Sequence, residues 1–230
     1  MCIRDRISNE PTIELGGLEL PVYTSKGDYY VEPLIAFKDQ LDAMLSHHSK
    51  VFVFRFDIRI KGDSYYNEEG IEFDTFTDDN QIITNYLKVF NRWLKRRYNL
   101  LRVGYVWCRE IEKAKKQHYH LVLMVDGNKI NAITSLHNTI KPKIKELAIE
   151  QGLVEHIPSN PYMVDNADLK KDDYTLYKAA FYRASYLAKV AGKNIKGERA
   201  NNFQPSRIKP RLNEHGDIFK AGDDYHKRLK

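Results

Sequence analysis

Between Val51 and Ile60 apolar and polar side chains alternate. Phe52, Phe54, Phe56, Ile58 and Ile60 fall on one side of a strand, and Arg55, Asp57 and Arg59 on the other. From about Asp79 to Tyr98 the spacing becomes three and four, with Ile82, Ile83, Tyr86, Val89, Phe90, Trp93 and Leu94 on one helical face. Two further strands are predicted over 102–111 and 118–125. The connection between them is short and contains Lys113, Lys115 and Lys116, which predicts an antiparallel hairpin. Val103, Tyr105 and Trp107 of the first, with Leu121, Leu123 and Val125 of the second, form its core side. A helix over about 130–151 contains Pro142, so a kink or a break is expected there. A short strand follows around Tyr162 to Val164, and then a helix capped by Asp172 or Asp173 and stopped at Gly192. Upstream, Pro33 suits the first turn of a helix through Phe37, Leu41, Met44 and Leu45.

This order of elements predicts an α+β fold: a ferredoxin/RRM-like antiparallel sheet with helices on one face and an added C-terminal helix. The other sheet face is then left to carry a site. We divide the chain into a lead-in and helix (1–50), a central domain (51–192) and a polar, basic tail (193–230) expected to be extended or mobile. At 230 residues one core is the default. The mean hydropathy of -0.58 and the lack of any run of about 18 apolar residues argue for a soluble protein and against a membrane partner. Two cysteines, Cys2 and Cys108, fit a reducing, cytoplasmic setting and exclude a thiolate zinc site. The first six residues, MCIRDR, resemble a translated sequencing-adapter fragment and are expected to be non-native.

Charge sharpens the picture through its distribution. The net value is +6, yet residues 85–120 hold ten basic and two acidic side chains, whereas residues 1–84 hold eight and sixteen. An anionic partner is plausible, and so is a merely solvated face.

Candidate chemistry centres on two stretches. In His118-Tyr119-His120 the imidazoles lie two apart on a strand and point to the same side. Glu110, on the opposite side of its strand from Trp107, reaches that same face through the hairpin. Two imidazoles and a carboxylate suit a divalent ion such as Mg²⁺ or Mn²⁺. The bland reading is a pair of hydrogen-bonded sheet histidines. The second stretch runs from Tyr182 to Lys189. Tyr182, Tyr186 and Lys189 share a helix face, which is either a semi-buried amphipathic stripe or a phenol with a cation beside it.

Glu110, then His118-Tyr119-His120, then Tyr-x-x-x-Tyr-x-x-Lys over 182–189 resemble, in this order, the HUH endonuclease superfamily, and within it the two-tyrosine rolling-circle initiators. The stretch from Val51 to Lys193, with Phe56-Asp57-Ile58-Arg59 and Tyr105 to Glu110, is also similar to the YagK/YfjJ C-terminal domain and to filamentous-phage replication proteins. The resemblance implies a metal on His118, His120 and Glu110, and nucleophilic attack by Tyr186. Tyr182 becomes a second nucleophile and Lys189 a charge partner. The implied substrate is single-stranded DNA or an origin hairpin in a bacterial host cell, with the helicase supplied by the host or a separate gene. Ser185 stands where some two-tyrosine initiators carry a second Lys, which leaves one or both tyrosines active. Arg55, Arg59, Lys113, Lys115 and Lys116 are expected on flanking phosphates, with Arg207, Lys209 and Arg211 adding nonspecific affinity. Asp57 either pairs with the arginines or joins the metal site. The alternatives are a noncatalytic DNA-binding regulator, a transposase or relaxase of the same superfamily, or an RNA-binding module.

Overall fold

A computed structural model describes residues 6–60, 65–66, 72–73, 80–111, 117–130, 132–157, 161–193, 201–213, 215–216 and 218. Thr12–Leu15 (β1) and Leu18–Pro21 (β2) form a hairpin across Gly16 and Gly17, both at positive φ. Val31–His47 (α1) carries Pro33 in its first turn and leads into Lys50–Ile60 (β3). Gln81–Tyr98 (α2) ends where Asn99 adopts the left-handed conformation (φ 50°). Gly104–Ile111 (β4) and Gln117–Asp126 (β5) are the expected hairpin strands.

The break expected near Pro142 is present. Ala132–Ser135 is α-helical, Leu136–Ile140 is a π-helical segment, and Lys141–Glu150 (α3) restarts with Pro142 in its first turn. Leu153–His156 (β6) was not foreseen, whereas Tyr162–Asp165 (β7) was. Thr175–Ser185 (α4) receives the Asp173 carboxylate on the Thr175 amide and tightens into a 3-10 turn at Tyr186–Ala188, short of the expected end at Gly192. Phe203–Pro205 (β8) closes the sheet.

The sheet has six strands in the order β6-β3-β5-β4-β8, and β7 takes the part of the β3 edge that β6 leaves open. Every pairing is antiparallel. The alternation read from the sequence holds: Phe52, Phe54, Phe56, Ile58, Trp107, Leu121, Leu123 and Val125 are buried on one face beneath α2 and α3.

The expectation of helices on one face only is corrected. The reverse face is divided along its length, with an apolar half formed by Val51, Val53, Val106, Cys108, Val122 and Met124. These residues lie beneath α1 and α4, whose Phe37, Leu41, Met44, Ala180, Phe181 and Ala184 complete a second core. The Val51 and Val53 positions cannot stay in water at acceptable cost, so the chain covers them. Only the far half of this face, where the alternation turns polar, is available for a site.

Residues 201–213 are extended but tied down. The Ser206 amide donates to the Tyr105 carbonyl (2.7 Å), the Ile208 amide to Gln40 Oε1 (3.1 Å) and the Arg211 amide to Ser46 Oγ (2.9 Å). No helix among the described residues is long and apolar enough to cross a membrane.

Candidate metal and tyrosine centre

Strand register builds the site. On β5, His120 lies opposite Asp57 of β3 and Cys108 of β4, and His118 lies opposite Arg59 and Glu110. Residues two apart on neighbouring strands therefore converge on one side. His118 Nε2 is 3.2 Å and His120 Nε2 2.9 Å from Glu110 Oε2, and the two ring nitrogens are 3.1 Å apart. All three residues are buried.

The donor set fits a divalent cation. Metal–ligand bonds of about 2.1 Å at right angles place neighbouring ligand atoms about 3.0 Å apart, so the three separations match one face of an octahedron. Asp57 Oδ1 and Arg55 Nη2 both lie against His120 Nδ1, at 2.8 and 3.0 Å, so the ring is held through that nitrogen and turns Nε2 toward Glu110 and His118. Asp57 in turn takes the Arg55 Nε and Nη2 protons (3.1 and 3.0 Å). Asp57 thus pairs with Arg55, one of the two roles its sequence position allowed, and borders His120 of the candidate metal group without belonging to that group. Cys108 shares this face, but burial pushes its thiol up to about 12, so it supplies no thiolate.

Helix α4 and the turn after it bring the tyrosine alongside. Lys189 Nζ is 2.9 Å from the Tyr186 hydroxyl and 2.9 Å from Glu110 Oε2. Arg55 stacks its guanidinium 4.0 Å from the Tyr186 ring centre, and the His120 and Tyr186 rings meet edge to face at 5.2 Å. Burial works against charge on Glu110, yet bonds to His118 and His120 and the Lys193 charge hold its pKa well below the usual carboxylate range. Burial likewise opposes the Lys189 ammonium, but the Tyr186 hydroxyl and Glu110 outweigh it and raise its pKa. Three cations, Arg55, Lys189 and Lys193, face two carboxylates, Asp57 and Glu110, so the side chains around the imidazoles favour an anionic group.

This geometry sits inside a region, residues 18–206, that matches the YagK/YfjJ C-terminal domain. The chain belongs to that family. Within the YagK/YfjJ family it is 28% identical over 128 residues to the uncharacterized protein YfjJ of Escherichia coli (strain K12), a match covering 50% of this chain and 59% of that protein.

In this YagK/YfjJ domain Glu110, His118 and His120 converge as the hairpin predicted, and Tyr186 and Lys189 lie against them as the resemblance implied. Tyr182 stands apart, 42% exposed. The Tyr23 ring contacts both tyrosines, at 5.8 Å from Tyr182 and 5.4 Å from Tyr186. Ser185 is wholly buried and structural, taking the Tyr23 amide proton (2.8 Å) and donating to the Tyr182 carbonyl (2.7 Å). Arg55 was expected on flanking phosphates; it is instead 4% exposed and committed to Asp57, His120 and Tyr186. Arg59, Arg207, Lys209 and Arg211 are exposed, and Lys113, Lys115 and Lys116 lie outside the described residues.

Sequence reasoning missed Lys193, which was counted with the basic tail. Its Nζ is 2.8 Å from Glu110 Oε1 and 2.8 Å from the Lys189 carbonyl, at 2% exposure. The available signal was its place four residues after Lys189 and just beyond Gly192, whose positive φ (82°) turns the chain inward.

Proposed function

We propose that this domain nicks and rejoins single-stranded DNA through a 5′-phosphotyrosine and so initiates rolling-circle replication, on a ferredoxin-like HUH scaffold. The observation that carries the reading is the unbroken chain from nucleophile to ligand set: Tyr186 hydroxyl to Lys189, Lys189 to Glu110 Oε2, and that oxygen to both histidines. A divalent cation on Glu110, His118 and His120 would act as a Lewis acid toward the phosphodiester. In the nicking step Tyr186 Oη forms a bond to phosphorus and the bond from phosphorus to the 3′ oxygen breaks. The phenolic proton is given up, and the leaving oxygen takes one to become a 3′-hydroxyl. One phosphodiester replaces another, so a 3′-hydroxyl can reverse the step. Lys189 and Arg55 supply fixed positive charge where the phenol oxygen becomes anionic.

The strand order and the helix connecting β3 to β4 support the ferredoxin-like reading, because β6-β3-β5-β4 is the order of a split βαβ unit. A noncatalytic regulator would need a basic surface, but not a buried carboxylate shared by two histidines and a tyrosine-bound lysine. The deciding experiment is incubation with labelled single-stranded oligonucleotides and Mn²⁺, followed by denaturing electrophoresis. The wild type forms a covalent adduct and Tyr186→Phe forms none. An adduct that survives in the Tyr182→Phe, Tyr186→Phe double variant refutes the assignment.

A further inference from the structure

Helix α2 lies on the sheet face opposite the Glu110 centre, against the Phe52, Phe54 and Phe56 side. Its 18 residues include no Asp or Glu, and Lys88, Arg92, Lys95, Arg96 and Arg97 are all exposed. The helix dipole rationalises Lys95, Arg96 and Arg97 in the last turn, but its influence does not extend back to Lys88 and Arg92. Beside α2 a groove of about 460 Å³ runs between the helix, the segment entering β4, and β8. Lys95, Arg102 and Arg207 line it, three cations from three separate stretches of chain, together with Asn91, Tyr105 and Gln204. None of these cations forms an ion pair with a carboxylate among the described residues.

We propose that the α2 stripe and this groove form a second nucleic-acid site, which binds the phosphate backbone of duplex DNA on the far side of the sheet from the nicking site. From Lys88 to Arg96 the stripe runs about 12 Å, the axial length of three to four phosphates on one strand at about 3.4 Å each. A protein partner fits less well. Stable protein interfaces centre on apolar and aromatic anchors and are poor in lysine, whereas this surface offers Val89 and Leu101 among six or more cations. Single-stranded DNA calls for a row of stacking rings, and the groove presents one, Tyr105. The choice of DNA as the polyanion rests on the nicking reading; the charge arrangement does not.

The test uses the full chain with Lys88→Gln, Arg92→Gln, Lys95→Gln and Arg96→Gln combined, and separately Arg207→Gln. Binding of a blunt 20-base-pair duplex, chosen here to have no single-stranded ends, is followed by fluorescence anisotropy across a salt series. Each phosphate contact contributes about 0.9 to the slope of log affinity on log salt. The quadruple variant is therefore expected to bind the duplex at least about tenfold more weakly at low salt, with a slope shallower by about 3, and Arg207→Gln by about 1. Covalent adduct formation on a short single strand should persist in both. Tyr186→Phe should do the reverse, losing the adduct and keeping duplex binding, so the two readings fail separately. Unchanged affinity and slope in the quadruple variant overturn the proposal. So does competition by polyglutamate as strong as that by duplex at equal charge, which would assign the surface to an acidic protein.

Discussion

Lys193 Nζ and Glu110 Oε1 lie 2.8 Å apart with each residue 2% exposed, joining the end of the tyrosine segment to the strand that carries the candidate ligand carboxylate. The pair fixes one carboxylate oxygen, so the other, Oε2, stays directed at His118, His120 and Lys189. Lys193 is therefore a positioning residue whose effect passes through Glu110.

Removing only the cation leaves a buried carboxylate short of a partner. Lys193→Met should lower unfolding free energy by about 3 kcal/mol, as for a broken buried pair. Adding Glu110→Gln to it should restore part of that loss, because the uncompensated charge is gone. Urea denaturation of the two single variants and the double variant measures the coupling.

Asp57 offers a test of metal binding that does not depend on turnover. It holds the His120 ring through Nδ1, and burial, which would raise its pKa, is outweighed by His120 and Arg55, so it stays ionised. Asp57→Asn should weaken Mn²⁺ binding about 10–100-fold by calorimetry, with the fold retained. His118→Ala should weaken it further. Equal affinity in Asp57→Asn and wild type would show that His120 does not depend on this partner.

The exposure of Tyr182 and the burial of the Tyr186 surroundings separate the two tyrosines. Tyr182→Phe is expected to form the first covalent adduct at close to the wild-type rate, and Tyr186→Phe to form none. Single-turnover gels on one oligonucleotide compare them directly. Equal adduct yields from the two single variants would make the tyrosines interchangeable, against the hydrogen bond that Lys189 makes to the Tyr186 hydroxyl.

Period-two alternation over Val51–Ile60 and 118–125 identified which side chains share a face, and a short hairpin link placed Glu110 opposite His118. That was enough to read the convergence of Glu110, His118 and His120, because strand register is local information. The cover on the reverse face was not legible. Val51 and Val53 alternate with the phenylalanines and are apolar too, so the reverse side of β3 is apolar and covered where the strand begins, and carries the buried polar Arg55 and Asp57 further along. Lys193 escaped notice because a lysine in a basic stretch reads as solvated, and its burial depends on a carboxylate 83 residues away. The role of Arg55 likewise depends on Tyr186, which reaches it only once α4 packs on the sheet.

Gly104 reports on that hidden packing. A Cβ there would come within 3.0 Å of Met44 Cγ on α1 and 3.2 Å of Met124 Cβ. Its backbone is ordinary, so the constraint is the close approach of the helix to the sheet. Gly104→Ala should destabilise by about 1–3 kcal/mol through overpacking, measured by urea midpoint. Adding Met44→Ala to Gly104→Ala should cost less than Met44→Ala alone predicts, since the new methyl then occupies vacated space.

His48 predicts how stability responds to mild acid, away from the metal centre. Burial lowers its pKa from 6.5 and outweighs the raising influence of Asp126, whose Oδ2 is 3.3 Å from Nδ1. Its Nε2 is buried with no hydrogen-bond partner among the described residues, so protonation would bury an N–H without an acceptor. The unfolded chain therefore takes up a proton near pH 6.5 that the folded chain resists. The stabilising difference is fully present above that pH and is lost as pH falls through the lower folded value. In that window stability should decline with a slope of up to about 1.4 kcal/mol per pH unit from this one group. His48→Gln, which does not titrate, should flatten the decline, and denaturation midpoints at half-unit steps from pH 7 downward test it. An equal slope in the variant would assign the decline to other groups, such as His47, whose pKa burial also lowers.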